Sequence, residues 1–454
     1  MTASSIYLHV PFCASRCRYC DFSTTATRHG DPLISSYGRS LARLVRKAGE
    51  LGLIAGGGRA VREEGVERGK PAQDAASRGA HAAAAHAEPA TLREPAVPPR
   101  PSALRARLTL YIGGGTPTML GAEGLSSLAR ACREAVGGPF SEASFEANPE
   151  SLSDEVLAVA RDAGLTRASI GVQSLDDREL RALGRIHSAA LARERVAAAV
   201  ASGLDVSVDL MCGIPYQTPG SWERSLACAL ELGAGHVSCY PLMIEDGTAM
   251  ERLCEAGKLP WPDDDVEADD MEVAERVLGR GGLARYEVAS YARPGRACRH
   301  NIAYWTGAEY LGLGTAAASM LGKDAYELLR LAVPALPEPD EDAARFRLTV
   351  LSGAREVADA RRLADLRFDV EQMSAREAAA EDLMLGMRMA RGVGEDLIEG
   401  ARGLIPDRAL DGAVETAIAE GLARRRDGRL VPTERGWLMG NELYGLFWDL
   451  AHDG

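Results

Sequence analysis

The segment YLHVPFCASRCRYCDF, Tyr7–Phe22, stands near the beginning of this 454-residue sequence and carries Cys13, Cys17 and Cys20 in the spacing Cys-x3-Cys-x2-Cys. Three thiolates in one loop can hold three corners of a cubane [4Fe–4S] cluster and leave the fourth iron open to a non-protein ligand. A structural zinc site needs a fourth Cys or His, and His29 lacks ligand-like spacing. Zinc and three inert thiols remain the alternatives.

Short apolar strands alternate with helix-length amphipathic stretches from this segment onward, as far as Tyr240. Such alternation is typical of βα units around a parallel sheet, and six units predict an open, partial (β/α)6 barrel of the TIM-like kind. The predicted strands are Ile6–Val10, Leu108–Ile112, Ala143–Ala147, Arg167–Val172, Asp205–Met211 and His236–Tyr240. The predicted helices are Pro32–Leu51, Gly124–Val136, Ser153–Ala163, Ala189–Ser202 and Ser221–Leu232.

The chain divides into a barrel core over residues 1–250, a barrel-completing segment over 251–337 and a C-terminal region over 338–454. Within the core, residues 56–107 predict a disordered insertion because they are rich in Ala, Gly, Arg, Glu and Pro. Its His81 and His86 are five residues apart, but the low-complexity context gives them no assigned role. Arg285–Ala292 predicts one further strand. The C-terminal region predicts a mostly helical, winged-helix-like domain with a turn at Asp427-Gly428, for which ordinary packing and DNA binding both stay open.

Composition excludes several classes of protein. The chain is 46% hydrophobic and 26% charged, a globular balance, and nine cysteines in that length do not make a small disulfide scaffold. A net charge of −13 gives no footprint for a phosphate backbone, so we expect no nucleic-acid partner. No signal peptide and no run of about 18 apolar residues is evident, which predicts a cytoplasmic protein without stable membrane insertion.

Polar and glycine residues recur where the predicted strands end. YIGGGTPT, Tyr111–Thr118, follows the second strand, and glycines there let the backbone approach an amino-acid head group, although a lone glycine triplet more often forms a tight turn. Because the carboxyl ends of parallel strands face one mouth, we expect the polar side chains to converge with the cysteine loop. The candidates are Gly114, Gly115, Thr116, Glu146, Gln173, Arg185 and Asp209.

The cysteine loop resembles that of the radical S-adenosylmethionine (SAM) superfamily. The resemblance implies SAM bound at the open iron, its reductive cleavage to a 5′-deoxyadenosyl radical, and adenine contact by Tyr19. CYPLMIEDGT, RYEVASYARPG, CRHNIAYW and YLGLGTAAAS extend the resemblance to the coproporphyrinogen-oxidase-like branch over nearly the whole chain outside the insertion. By that resemblance, the SAM site is lined by Tyr7, Tyr19, Phe22, Gly114, Gly115, Thr116, Glu146, Gln173, Arg185, Asp209 and Leu313.

Two kinds of protein in that branch differ in function. The oxygen-independent coproporphyrinogen III oxidase carries a fourth cysteine two residues after the third, where this chain has Phe22, and a longer segment before the cluster. The heme chaperones have C-D-F there and an HNxxYW motif, which is intact here. An imidazole is a natural axial iron ligand, and an aromatic pair offers a flat face to a porphyrin. The motif residues are His300, Asn301, Tyr304 and Trp305.

The resemblance therefore implies a heme chaperone that binds a [4Fe–4S] cluster, SAM and heme and passes heme to an unidentified acceptor protein, with flavodoxin or ferredoxin as a reductant. Oxidation of coproporphyrinogen III is the alternative, disfavoured by Phe22. A binding module that acts through its tail is a third interpretation. The HNxxYW segment also suits a loop packed on the barrel rim, and Cys298 suits either a heme ligand or a buried thiol.

Overall fold

The structure is a computed structural model that describes residues 2–56 and 108–452. Apart from Gly56, the predicted insertion and both of its histidines lie outside the described residues. Within the described part, no helix is long and apolar enough to cross a membrane.

The described residues form a twelve-stranded sheet and two smaller sheets. The strands are β1 Ser5–Val10, β2 Phe12–Cys13, β3 Thr25–Ala26, β4 Thr109–Gly114, β5 Glu142–Ala147, β6 Arg167–Gln173, β7 Asp205–Cys212, β8 His236–Pro241, β9 Ala284–Arg285, β10 Ser290–Ala292, β11 Tyr310–Leu313, β12 Ala318–Gly322, β13 Ala343–Val350, β14 Phe368–Ser374, β15 Val393–Gly394, β16 Ala423–Arg426 and β17 Arg429–Pro432. Seven adjacent parallel strands form the centre of the large sheet, in the order β11-β1-β4-β5-β6-β7-β8. Antiparallel strands extend it on both sides, with β12, β13 and β14 beyond β11, and β10 and β9 beyond β8.

Helices follow the parallel strands and cover the outside of the sheet. The first begins at the N-cap Asp31, whose side chain accepts from Leu33 N, and has Pro32 at its first position. The α-helices are Pro32–Glu50, Gly121–Ala135, Asp154–Asp162, Asp177–Leu183, Ala189–Ala201, Pro219–Glu231, Ala249–Glu255, Asp264–Arg280, Arg299–Trp305, Lys323–Ala332, Ala354–Asp359, Ala375–Met387, Glu395–Ala401, Asp407–Ala419, Glu434–Leu438 and Gly440–Trp448.

The six strands and five helices predicted for the core are confirmed, with ends shifted by a few residues. The single strand predicted over Arg285–Ala292 is wrong, because the structure divides it into β9 and β10. Between them, Glu287 Oε2 accepts from Ala289 N at 3.3 Å, a local bond that competes with strand pairing.

The predicted beginning of the helical region at 338 is corrected by the structure. Strands β13 and β14 pair with each other and with β12, so residues 343–374 belong to the main sheet. The missed signal is alternation, since Phe346, Leu348 and Val350 are buried at every second position of β13. A separate core begins only at Ala380, in the region that holds the last helices and the small sheet β15-β17-β16.

The winged hairpin of this C-terminal region is confirmed. Strands β16 and β17 are antiparallel, and Arg426 pairs with Arg429 across the turn. Asp427 and Gly428 both have positive φ, 50° and 68°, as a two-residue type I′ turn requires.

The interior of the barrel is polar, unlike the packed apolar centre of an ordinary TIM barrel. Along each central strand, apolar residues face the helices and belong to the main core, whereas the alternate residues are polar and buried inside the barrel. The buried polar positions are Ser5, His9, Thr109, Glu142, Ser144, Arg167, Ser169, Ser207, His236 and Ser238. Period-two alternation thus builds a polar lumen that a small ligand can enter.

Candidate functional site

A cavity of about 400 Å³ runs from the mouth of the barrel into its polar interior. Strand ends, the cysteine loop and the segment after β10 all contribute to its walls. Of the residues predicted for cofactor binding, those that line it are Cys13, Cys17, Tyr19, Cys20, Phe22, Gly114, Gly115, Glu146, Gln173, Arg185, Asp209 and Asn301.

Neighbouring elements hold the cysteine loop on both sides. Strands β2 and β3 close its base in parallel, with Phe12 opposite Thr25. In the middle of the loop, Arg18 N donates to Leu183 O at 3.0 Å and Arg18 O accepts from Met250 N at 2.8 Å. Tyr19 packs on a small apolar cluster that includes Leu183 and Met250. The loop is therefore fixed against the helices that follow β6 and β8.

Two of the three cysteine sulfurs accept hydrogen bonds. Thr116 Oγ1 donates to Cys13 Sγ at 3.5 Å, and Arg185 Nη1 donates to Cys17 Sγ at 3.3 Å. Burial raises the pKa of the Cys13 thiol, and the Thr116 bond opposes that rise. Among the described residues, no three His, Cys, Asp or Glu side chains are arranged to hold a single metal ion. The three cysteines line the same cavity, and hydrogen-bond donors to two of their sulfurs suit a cluster.

The glycine segment packs tightly between the cysteine loop and β5. Gly115 N donates to Val10 O at 2.9 Å, and a Cβ on Gly115 would lie 2.8 Å from Phe12 O. Gly114 has φ +107°, and its N–H donates to Glu146 Oε2 at 2.9 Å. The glycines therefore serve this close packing, and they also bring their backbone to the cavity wall.

Glu146 and Asp209 are buried carboxyl groups that face the same cavity. Burial raises the pKa of Glu146 to about 7, and the neighbouring Asp209 charge adds to the rise. Burial likewise raises the pKa of Asp209 to about 6, although hydrogen bonds from Ser238, Ser169 and Ser207 oppose it. A ligand that carries positive charge, as a sulfonium does, stabilises the ionised form of both groups.

We expect SAM to bind more weakly at pH 6 than at pH 8. A carboxyl with a pKa of about 7 is only about one-tenth ionised at pH 6, so affinity falls roughly tenfold there. Because the pKa of Glu146 is raised, its protonated carboxyl contributes stability to the ligand-free fold in full below the pKa of the unfolded chain. That contribution is lost as the pH rises to about 7, and a bound cationic ligand offsets the loss. Equilibrium dialysis of SAM against pH measures this, and Glu146→Gln should flatten the profile.

Gln173 ends β6 in a strained turn. Its φ is +67°, Ser174 N donates to Val172 O at 2.8 Å, and the register with β7 shifts between Gly171 and Gln173. A γ-turn with positive φ is rare and strained, and such strain is found mostly at functional sites. The bulge directs Gln173 to the cavity wall.

Replacing Gln173 by Gly should lower the affinity for SAM without lowering the unfolding midpoint. Glycine adopts the positive φ of this position without strain, which stabilises the fold by about 1 kcal/mol. Loss of one hydrogen bond to a ligand weakens binding roughly tenfold. Asp427→Gly makes the same kind of backbone change at φ 50°, far from the cavity, and is the matched control. Unchanged SAM affinity in Gln173→Gly would remove Gln173 from the site.

The side chains of Tyr7, Thr116 and Leu313 do not line the cavity, contrary to the prediction. Tyr7 O–H lies 3.1 Å from His9 Nδ1, and its ring stacks on Tyr111, which does line the wall. Leu313 pairs with Leu8 in the sheet register and belongs to the apolar core on the outer side. Thr116 is buried behind Cys13. Alternation along β11 therefore explains the position of Leu313, whereas Tyr7 is separated from the cavity by Tyr111 and Thr116 by Cys13.

The HNxxYW segment forms the helix Arg299–Trp305, and its residues do not share one surface as a heme site requires. His300 is only 4% exposed, its Nδ1 lies 2.9 Å from Thr109 Oγ1, and its ring lies between Tyr111 and Tyr304. Burial lowers its pKa to about 3, so the imidazole is neutral. Asn301 lines the barrel cavity.

Tyr304 and Trp305 instead line a second cavity of about 140 Å³, beside Arg345 and Glu381. The Arg388 guanidinium lies 5.3 Å from the centre of the Trp305 ring. Of the two interpretations of this motif, the structure therefore favours packing. Its residues join the floor of the barrel, the side on which strands such as β4 begin, to the C-terminal region. Cys298 is buried and lines the barrel cavity, where its Sγ donates to Glu142 Oε1 at 3.3 Å.

Several cavity residues were missed from the sequence because they lie at the beginnings and middles of strands. Arg167, 3% exposed, pairs with Glu142 at 3.2 Å, and Glu142 also accepts from Arg299 N and His300 N. Two strands away, His236 Nδ1 lies 2.8 Å from Ser207 Oγ. The alternation of polar and apolar residues in RASIGVQ, DVSVDLMC and HVSCYP was the signal that could have found them.

An open parallel barrel with a polar lumen and three loop cysteines at its mouth defines a radical SAM protein. The model of the radical SAM superfamily matches residues 103–229, beyond the cysteine loop, and the HemN C-terminal domain model matches residues 373–439. The second match begins at the end of β14 and includes the helix Ala375–Met387. The superfamily implies a [4Fe–4S] cluster and SAM.

The chain belongs to the HemW family. It is 33% identical to the heme chaperone HemW of Mycobacterium tuberculosis (strain H37Rv) over 96% of this chain and 93% of that protein. It is 26% identical to the heme chaperone HemW of Bacillus subtilis (strain 168) over 98% of both. In structure it resembles the coproporphyrinogen III oxidase HemN of Escherichia coli, with a TM-score of 0.68 and 18% identity over 98% of this chain and 90% of that one. That last likeness shows the fold alone.

Proposed function

We propose that this protein is a heme chaperone that binds heme and transfers it to an acceptor protein. Its relatives over nearly the full length are named heme chaperones. The observation that carries the proposal is Phe22, which is 68% exposed and lines the cavity where an oxidase has its fourth cysteine. Coproporphyrinogen oxidation is not favoured, because these relatives are named chaperones rather than oxidases.

The cluster is held by Cys13, Cys17 and Cys20 in this proposal, and SAM occupies the barrel cavity. When bound, the cluster supplies an electron and an open iron to SAM. Glu146, Gln173 and further polar groups that line the lumen position the ligand. The reductant we propose is flavodoxin or ferredoxin.

In this proposal, heme binds against the mouth of the cavity rather than at the HNxxYW segment. Phe22 and Tyr240 are 68% and 41% exposed, and both line the opening. Aromatic rings there offer a flat apolar surface to a porphyrin. His300 is 4% exposed and bonded to Thr109, so axial ligation by its imidazole requires the Arg299–Trp305 helix to leave the barrel floor.

Heme transfer is tested with anaerobically reconstituted protein loaded with heme and mixed with an apo-globin as a generic acceptor. We expect a stable heme complex, heme transfer to the globin, and no porphyrin product when coproporphyrinogen III, SAM and dithionite are supplied in parallel. Bound heme is measured as pyridine hemochrome after gel filtration, because the cluster absorbs under the Soret band. Porphyrin product, or failure to retain heme, contradicts the proposal.

Heme retention by variants then locates the site. Phe22→Ala should weaken heme binding, whereas Leu331→Ala, at a residue 80% exposed outside the cavity lining, is the matched control. His300→Gln tests the motif and should leave the heme spectrum unchanged. A lost axial-ligand signature in folded His300→Gln would return the heme site to HNxxYW.

A further inference from the structure

Asn148 bridges the two residues that donate to cysteine sulfurs. It follows β5 directly, two positions after Glu146, and lies in the cavity wall. Its Oδ1 accepts from Arg185 Nη2 at 2.7 Å, and its Nδ2 donates to Thr116 Oγ1 at 2.9 Å. The side-chain amide therefore joins a group in the segment after β4 to a group that follows the helix Asp177–Leu183.

Hydrogen-bond chemistry fixes the orientation of this amide. A guanidinium only donates, so the oxygen of the amide must face Arg185 and the NH2 group must face Thr116. Thr116 Oγ1 then accepts from Asn148, which leaves its one hydrogen for Cys13 Sγ, 3.5 Å away. Arg185 is held at the same time by Gly171 O at 2.5 Å, with Nη1 directed to Cys17 Sγ at 3.3 Å.

The space around the amide is closed. A Cβ on Gly171 would lie 2.9 Å from Asn148 Oδ1, so a larger residue at 171 would displace the amide. The carbonyl oxygen of Asn148 accepts from Ser151 Oγ at 3.1 Å, which holds the backbone independently of the side chain. The polar chain Cys13–Thr116–Asn148–Arg185–Cys17 is therefore defined from end to end.

We propose that Asn148 is a positioning residue that sets hydrogen-bond donation to the sulfurs of Cys13 and Cys17 and thereby the reduction potential of the cluster bound there. The inference rests on the cluster of the proposed function and not on heme. Donation to a cysteine sulfur stabilises the more negative, reduced cluster, so each donated bond raises the potential.

Asn148→Asp is the sharpest test because it preserves shape and reverses one bond. A carboxylate accepts from both sides, so the Thr116 hydrogen turns away from Cys13, and negative charge is added behind Arg185. We expect a shift of the cluster potential to more negative values, with iron and sulfide content unchanged. The measurement is a potentiometric titration of the reconstituted protein, without heme, followed by the electron paramagnetic resonance signal of the reduced cluster.

Thr116→Val is the second variant. It removes the donor to Cys13 Sγ, together with the acceptor of Asn148 Nδ2, and leaves the bond from Arg185 to Cys17 Sγ in place. It should shift the cluster potential in the same direction as Asn148→Asp does, and by less. If Asn148→Asp loses its cluster, the potential of Thr116→Val tests the inference instead. Ser151→Ala is the control, since it removes a bond to the Asn148 carbonyl without touching the amide. Wild-type potential in Asn148→Asp or Thr116→Val, or an equal shift in Ser151→Ala, overturns the inference. A wild-type protein that binds no cluster overturns the cluster assignment itself.

Discussion

Replacing Cys13, Cys17 or Cys20 singly by Ser should abolish the brown absorption of the reconstituted protein and most of its bound iron and sulfide. Two thiolates hold a cubane poorly, and all three sulfurs line one cavity wall. SAM binding should fall with the cluster, because the open iron is the expected ligand for its amino and carboxylate groups. Iron and sulfide analysis after desalting, with SAM dialysis in parallel, measures both effects.

Cys228→Ser is the matched control for this experiment. Cys228 is a free thiol of intermediate exposure on the helix Pro219–Glu231, it accepts from Arg193 Nε at 3.3 Å, and it does not line the cavity. It should keep full iron and sulfide. Full iron in any of the three loop variants would show that the loop does not hold the cluster.

Glu142→Gln should lower the free energy of unfolding by about 3–5 kcal/mol, the cost of leaving a buried charge without its partner. Glu142 pairs with Arg167 at 3.2 Å, with side chains 6% and 3% exposed. It also accepts from Arg299 N and His300 N, both at 3.1 Å, at the beginning of the helix Arg299–Trp305. An amide cannot accept all of these bonds, so the barrel floor loosens together with the helix. Urea unfolding followed by circular dichroism measures the change.

Glu50→Gln is the control for Glu142→Gln, because Glu50 pairs with Lys47 at 2.8 Å with side chains 64% and 49% exposed. Exposed pairs of this kind contribute about 0–1 kcal/mol. Adding Arg167→Gln to Glu142→Gln should recover part of the stability, since both charges are then gone. Equal midpoints for Glu142→Gln and Glu50→Gln would show that this buried pair is not a structural anchor.

The cysteine loop, the six core strands and most polar residues at the strand ends could be predicted, because each is written in local spacing or periodicity. Cys13, Cys17 and Cys20 lie within eight residues, and Glu146, Gln173, Arg185 and Asp209 lie near the ends of recognisable strands or after them. The prediction is wrong at β13, which it places in a mostly helical region. Phe346, Leu348 and Val350 alternate there, as in a strand that buries one side.

The class of fold, the cysteine loop and the mouth at which the polar residues meet follow from the sequence, since right-handed βα units bring the carboxyl ends of parallel strands to one side. Which polar groups become partners depends on the three-dimensional structure. Thr109 and His300 are 191 positions apart, and Arg167 and Arg296 are 129 apart, yet each pair is hydrogen-bonded. Such contacts depend on how the sheet brings distant strands and the helix Arg299–Trp305 together. For that reason the buried position of His300 and the bridge made by Asn148 became visible only in three dimensions.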